Sequence, residues 1–264
     1  MGELAFIGLG LGDDRDLSPR ARERLRRCDA IFSETYTSVL ASGSLERLAH
    51  ELGRPIVTLP RNQVEAEGPV LEALEHHAHV GFLVAGDPFA ATTHVALRLA
   101  AEKAGHSWTY LPNASVLTAA PSFLGLQHYR FGRTVSIPFP APGFAPRSPL
   151  DGIAQNRAQD LHTLVLLDLR PEEGRFMAAN EALRILAERD ADSPDPVFPP
   201  ELMIAVVARV GSDSARGWYG PRSHLEGADF GPPLHALVVP ARTLHFEEQA
   251  ALERVRLIGP GGPL

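Results

Sequence analysis

The sequence predicts an α/β fold of two α/β domains, the first built on a mainly parallel sheet. Three observations carry this. From residue 4 to residue 111, short apolar runs alternate with amphipathic segments, the pattern of strands joined by helical crossovers. Glycine, proline or serine stands at nearly every boundary. And 264 residues are enough for one large or two modest domains with a sizeable core.

Residues 4–11 (LAFIGLGL) read as a buried strand running into glycines. Ser18 and Pro19 start a helix, serine as N-cap and proline in the first turn. That helix runs through RARERLRR to Cys28 and into a second strand at residues 30–33. LERLAHELG (45–53) is a short helix stopped by Gly53. PIVTL (55–59) is a third strand, GPVLEALEHHAH (68–79) a helix and VGFLVAG (80–86) a fourth strand. TTHVALRLAAEKAG (92–105) is a helix, with Thr92 or Thr93 as its cap, and SWTYLP (107–112) a fifth strand. The second domain, residues 113–264, opens with a helical connector at 113–131. A proline-rich exposed loop or lid follows at 138–149. Strands are expected at 163–169, 202–211 and 235–240, helices at 175–189 and 244–255, and a frayed tail GPGGPL (259–264).

Composition narrows the function. The net charge of −7, with no block of basic residues, argues against a nucleic-acid binder. No apolar run reaches the roughly 18 residues that a bilayer requires, and the N-terminus lacks a basic leader region, so a cytoplasmic protein is the default. Cys28, the only cysteine, excludes an intrachain disulfide and reads as a core residue. Lys103 is the only lysine, which removes most candidates for Schiff-base chemistry.

Motifs for common chemistries are missing or defective. GLGLGDD (8–14) spaces its glycines G-x-G-x-G, and the next helix starts only at Ser18. A phosphate cradle needs glycines delivered onto a helix N-terminus, so a dinucleotide loop and a nicotinamide dehydrogenase are disfavoured. EHHAH (75–79) has no metal-binding spacing and reads as a solvated helix end; no metal is expected. No nucleophile elbow or Walker loop is present. What remains is a set of strand ends: Leu11, Asp87, Leu167 with Asp168, Ala208 with Arg209, and His235. Open α/β sheets bind ligands at the carboxyl ends of their strands.

Taken in order, these segments carry a resemblance. FIGLGLGDDRDLSPRARERLRRCDAIFSETYTS (6–38) resembles the opening of the class III, tetrapyrrole-methylase-like S-adenosylmethionine methyltransferases, and GDP at 86–88 resembles their second motif. Within that superfamily the chain is similar to the diphthine synthase family. The carrying segments are ETYTS (34–38), GDPFAATTH (86–94), GLQHYRFG (125–132), LHTLVLLDL (161–169), ARVGS (208–212) and DFGPPLHALVVP (229–240).

The resemblance implies two α/β domains with S-adenosylmethionine in the cleft between them, and a homodimer. It implies N-methylation of a modified histidine on translation elongation factor 2, releasing S-adenosylhomocysteine. It places cofactor contacts on Leu11, Asp87, Ala90, Ser115, Val116, Leu167, Ala208 and His235. The same scaffold also suits methylation of a corrinoid precursor, or a sensor that binds the cofactor without turnover. A sulfonium methyl is already a strong electrophile, so alignment in a dry pocket is the protein's main task. This accounts for the lack of an acid–base pair. Proton loss from the amine could be assisted by His94 or His235, and no residue is assigned as catalytic.

Overall fold

The computed structural model describes residues 1–34, 36, 39–40, 44–259 and 262–263. Thr35, Thr37 and Ser38 of the ETYTS segment lie outside the described residues, as do Pro260, Gly261 and Leu264 of the tail. The chain forms two compact units, Met1–Val116 with Leu169–Arg175, and Leu117–Asp168 with Phe176–Leu264. No helix among the described residues is long and apolar enough to cross a membrane.

The first unit runs β1 (Glu3–Gly8), α1 (Pro19–Arg27), β2 (Ala30–Glu34), α2 (Ser44–Leu52), β3 (Val57–Leu59), α3 (Arg61–Glu65), α4 (Gly68–His76), β4 (His79–Val84), α5 (Val95–Lys103) and β5 (Ser107–Leu111). Its five strands lie in the order β3-β2-β4-β1-β5, every pairing parallel. Because side chains alternate along a strand, β1 feeds two cores. Leu4 and Phe6 pack with Val70, Leu74 and Leu97 of α4 and α5. Ala5 and Ile7 pack with Leu25 and Leu48 of α1 and α2. Helices on both faces are what a buried parallel sheet requires.

Local signals worked where a side chain makes the expected bond. Ser18 accepts the Ala21 N–H at 3.1 Å, and Pro19 opens α1. Cys28 is fully buried at the end of α1, and burial pushes its thiol up to about 11. His76 and His77 are exposed at the end of α4. The helix expected from Thr92 instead begins at Val95, and neither threonine caps it. The short α3 has too few residues to show a periodicity.

The second unit holds α6 (Val116–Leu124), which starts at the unit boundary, then β6 (Val135–Ile137), α7 (Ser148–Ala158) and β7 (Thr163–Leu167). The two-stranded pair of β8 (Leu169–Arg170) and β9 (Arg175–Phe176), which belongs to the first unit up to Arg175, precedes α8 (Ala179–Asp190), β10 (Met203–Ala208), β11 (Arg216–Pro221) and α9 (Arg222–Leu225) of the second. β12 (His235–Val239), α10 (Phe246–Leu252), β13 (Arg256–Gly259) and β14 (Gly262–Pro263) complete it. The sheet order β14-β13-β11-β10-β12-β7-β6 mixes parallel and antiparallel pairs. Several expectations change. β6 and the glycine- and proline-bearing β11 were not legible as strands. The proline-rich segment contains a turn bridging Ala141 and Phe144, and Ser148 and Pro149 already belong to α7. Arg175 and Phe176 pair in β9, so α8 starts at Ala179. In the tail, Gly262 and Pro263 pair back on β13.

GLQHYRFG is anchored to α10. Glu248, fully buried, accepts the Gln127 N–H at 2.9 Å and the Arg130 guanidinium at 2.6 Å. It also accepts the His245 N–H at 3.1 Å, and His162 Nε2 lies 3.1 Å away. His162 Nδ1 accepts the Ala241 N–H, so Nε2 carries the ring proton and donates it to Glu248. Gly125 has φ +73°, and an added Cβ would stand 2.5 Å from that of Ala251 in α10. Burial alone would raise the Glu248 carboxyl, but the two backbone N–H groups and His162 hold it below its ordinary value. Burial holds His162 below its ordinary value and keeps it neutral.

Removing one partner of a buried charge pair leaves the other unpaired. Glu248→Ala should therefore destabilise the protein by about 3–5 kcal/mol in urea unfolding followed by circular dichroism. The sign with pH follows from the two depressed pKa values. The stability from His162 is present above pH 6.5 and is lost as pH falls below it; that from Glu248 is lost further down, below 4.5.

Candidate cofactor site

In the first unit the carboxyl ends of β4, β1 and β5 lie side by side, because these strands are adjacent and parallel. The chain reverses its direction of sheet building here: β2 and β3 lie to one side of β1, β5 to the other. Ligands of open α/β sheets bind at such switch points. Leu11, Asp87, Ala90, Ser115 and Val116 all follow these three strand ends.

The turns are joined by main-chain and side-chain bonds. Gly10 and Gly86 exchange two N–H···O bonds, at 3.3 and 2.7 Å. The glycine turn cradles an anion after all, but the chain supplies it. The N–H groups of Leu11 and Gly12 donate to Oδ2 of Asp16 at 3.2 and 2.8 Å. Gly10, at φ +82°, has no room for a side chain, since a Cβ would lie 2.6 Å from that of Asp16. The nest that would take a phosphate is thus closed by a carboxylate.

Asp87 is buried, and both of its carboxylate oxygens accept hydrogen bonds. Oδ1 accepts the Phe89 N–H at 3.0 Å; Oδ2 accepts the Tyr110 hydroxyl at 2.5 Å and the Asn113 N–H at 3.3 Å. Burial, then the adjoining carboxylate, push Tyr110 up to about 12, so it remains a donor. Asn113 closes the circuit, its Nδ2 donating to the carbonyls of Gly8 and Asp16 at 3.0 and 3.1 Å. Asp16, Tyr110 and Asn113 were not among the residues singled out from sequence. Their roles depend on pairing between strand ends far apart in the chain, which no local pattern reports.

In the second unit, Leu167, Ala208 and His235 come together. Ala208 pairs with His235 across β10 and β12, and Leu166 pairs with Ala236 across β7 and β12. All three are buried. Arg209, in the left-handed region at φ +52°, donates from Nη1 to the carbonyls of Phe230 and Pro232 and from Nε to Ser214 Oγ. One guanidinium thereby joins ARVGS to DFGPPLHALVVP. His235 Nδ1 accepts the Ala179 N–H at 3.2 Å, which puts the ring proton on Nε2. Nε2 is buried and has no acceptor at full hydrogen-bond geometry, although the carbonyls of Pro232, Phe230 and Gly231 are near enough to the ring to favour its protonated form. Burial, and then Arg209, hold His235 below its ordinary value and keep it neutral.

The chain matches the family model of the Tetrapyrrole (Corrin/Porphyrin) Methylases over residues 3–221. It is 41% identical over 254 residues to a diphthine synthase of Methanocorpusculum labreanum, covering 95% of this chain and 98% of the relative. To a diphthine synthase of Methanospirillum hungatei it is 39% identical over 247 residues, covering 93% and 95%. The chain belongs to the diphthine synthase family of tetrapyrrole methylases. The fold agrees. A crystal structure of a putative diphthine synthase from Entamoeba histolytica superposes with TM-score 0.90 at 33% identity, covering 98% of this chain and 100% of that one. A crystal structure of diphthine synthase gives 0.85 at 35% identity, covering 96% of each. As a member of this family the chain is an S-adenosylmethionine-dependent methyltransferase.

Asp16→Ala should free the Leu11 and Gly12 N–H groups and cost about 1 kcal/mol of stability, the worth of a partly exposed pair of hydrogen bonds. A thermal melt measures it. Unchanged stability would mean that the carboxylate is not what shapes the glycine turn.

Proposed function

We propose that the protein is a diphthine synthase that transfers methyl groups from S-adenosylmethionine to the amino group of the modified histidine on translation elongation factor 2. What carries the reading is similarity to diphthine synthases over 95% of the chain. The cofactor, when bound, supplies an electrophilic methyl on its sulfonium. The contacts we assign to it are Leu11, Asp87, Ala90, Ser115 and Val116 in the first unit and Leu167, Ala208 and His235 in the second.

The residues fit such a guest. With Asp16 filling the glycine turn, no cradle is left there for a phosphate. Of the eight, His235 alone carries a buried polar side-chain atom without an acceptor at full hydrogen-bond geometry, Nε2–H, and we assign it as a donor to the cofactor. The Asp87 carboxylate accepts from Phe89, Tyr110 and Asn113, so it also holds the turn that we assign to the cofactor. Ala208 and Leu167, buried and apolar, help exclude water, which keeps the methyl from hydrolysis and favours a neutral amine. From the family resemblance we carry over a homodimer, a cytoplasmic location, and S-adenosylhomocysteine as product.

Incubation with labelled S-adenosylmethionine tests the substrate. Label is expected in the elongation factor intermediate. Label in a precorrin alone would favour the corrinoid reading, and cofactor binding without transfer to either would favour a sensor. Calorimetry tests the contacts. Asp87→Ala and His235→Ala should each weaken cofactor affinity by about tenfold or more. Unchanged affinity in a folded variant would remove that residue from the site.

A further inference from the structure

Two of the segments that carry the family resemblance, ETYTS and GDPFAATTH, meet at one side-chain pair. His94 is 1% exposed, at the N-terminus of α5. Its Nδ1 lies 2.8 Å from the Pro88 carbonyl, which only accepts, so Nδ1 carries the proton. Nε2 therefore accepts, and the Tyr36 hydroxyl stands 3.3 Å away as its donor. Thr92 Oγ1 donates to the same Pro88 carbonyl at 2.7 Å. Phe82 of β4 meets the His94 ring edge-on, with centroids 5.2 Å apart. Tyr36 is tied back in turn, its N–H donating to Glu34 Oε2 at 2.9 Å, with Arg61 above its ring at 5.5 Å. Burial holds His94 below its ordinary value, which keeps the ring neutral and Nε2 an acceptor.

The segment under this latch is strained. Ala91 lies at φ +58°, in the left-handed region that a residue with a Cβ avoids. Such a conformation persists only where its surroundings over-determine it. Here Asp87 holds the turn at its front through the Phe89 N–H, and Thr92 with His94 hold Pro88 at its back. Between these fixed points stands Ala90.

We propose that His94, oriented by Tyr36, is a positioning residue for cofactor binding: by holding the Pro88 carbonyl it fixes the strained 86–91 turn in the form that receives the cofactor. This rests on the cofactor reading above. It also gives His94, for which the sequence offered only assistance in proton loss, a role that is not proton transfer.

Asparagine and glutamine separate the two ring nitrogens, because the asparagine amide overlays Nδ1 and the glutamine amide overlays Nε2. Binding of S-adenosylmethionine is measured by calorimetry, with kcat and KM for the elongation factor intermediate alongside. His94→Ala should raise the cofactor Kd about tenfold, and His94→Gln should match it. His94→Asn should return to within about threefold of the native value, and Tyr36→Phe should raise Kd about threefold. In each, kcat at saturating cofactor should stay within about twofold, a split that general loss of structure does not produce. Thermal melts confirm folding, and Tyr36→Phe keeps the test open if His94→Ala does not fold. Equal Kd in the native protein and folded variants, or glutamine restoring binding as well as asparagine, overturns the inference. If the native protein binds no S-adenosylmethionine, the cofactor reading falls and takes this one with it.

Discussion

The turns that follow the strands of a parallel sheet carry main-chain N–H groups that the sheet does not pair, and in the first unit two aspartates meet them. Asp16 receives the donors of the glycine turn, and Asp87 receives those of Phe89 and Asn113. Each carboxylate spans a gap between segments that the sheet alone does not connect. Asn113 then ties both turns to the end of β1. The positions of Leu11, Ala90 and Ser115 follow from these bonds rather than from the preferences of their own residues.

This arrangement also sets the electrostatic character of those turns. A dinucleotide-binding sheet keeps its glycine-turn donors free and offers them to a pyrophosphate. Here the chain's own carboxylates occupy them. The glycine turn therefore has these donors already taken and does not offer them to a phosphate. In the second unit the balance is different, since the buried histidine at the corresponding strand ends keeps one donor without a full hydrogen bond.

The first unit was legible because its signals are local. The serine cap of α1, the continuous apolar run of β1 and the glycine after β4 each announce themselves within a few residues, and the strand ends followed. The second unit was harder. β11 carries two glycines and a proline, and β6 is only three residues long, so neither shows the alternation of a half-buried strand. Thr92 and Thr93 look like helix caps in sequence, but Thr92 Oγ1 turns back to Pro88 because Ala91 reverses the chain just before it. The site divides in the same way. Its candidate positions come from strand ends and family motifs. The atoms that carry its bonds cannot be read there, because Tyr110, Asn113 and Tyr36 reach across sequence separations of 23, 26 and 58 residues.

The Glu248 anchor bears on how a family signature is interpreted. Of the eight residues of GLQHYRFG, Gly125 makes room for α10, Gln127 and Arg130 bind Glu248, and Phe131 packs on the His162 ring at 5.0 Å. Tyr129, by contrast, is 79% exposed and touches none of this. Half of the fingerprint thus records how one helix is fastened to its neighbour. A chain that kept those four residues while changing what it methylates would still carry the mark, so the motif vouches for architecture more firmly than for chemistry.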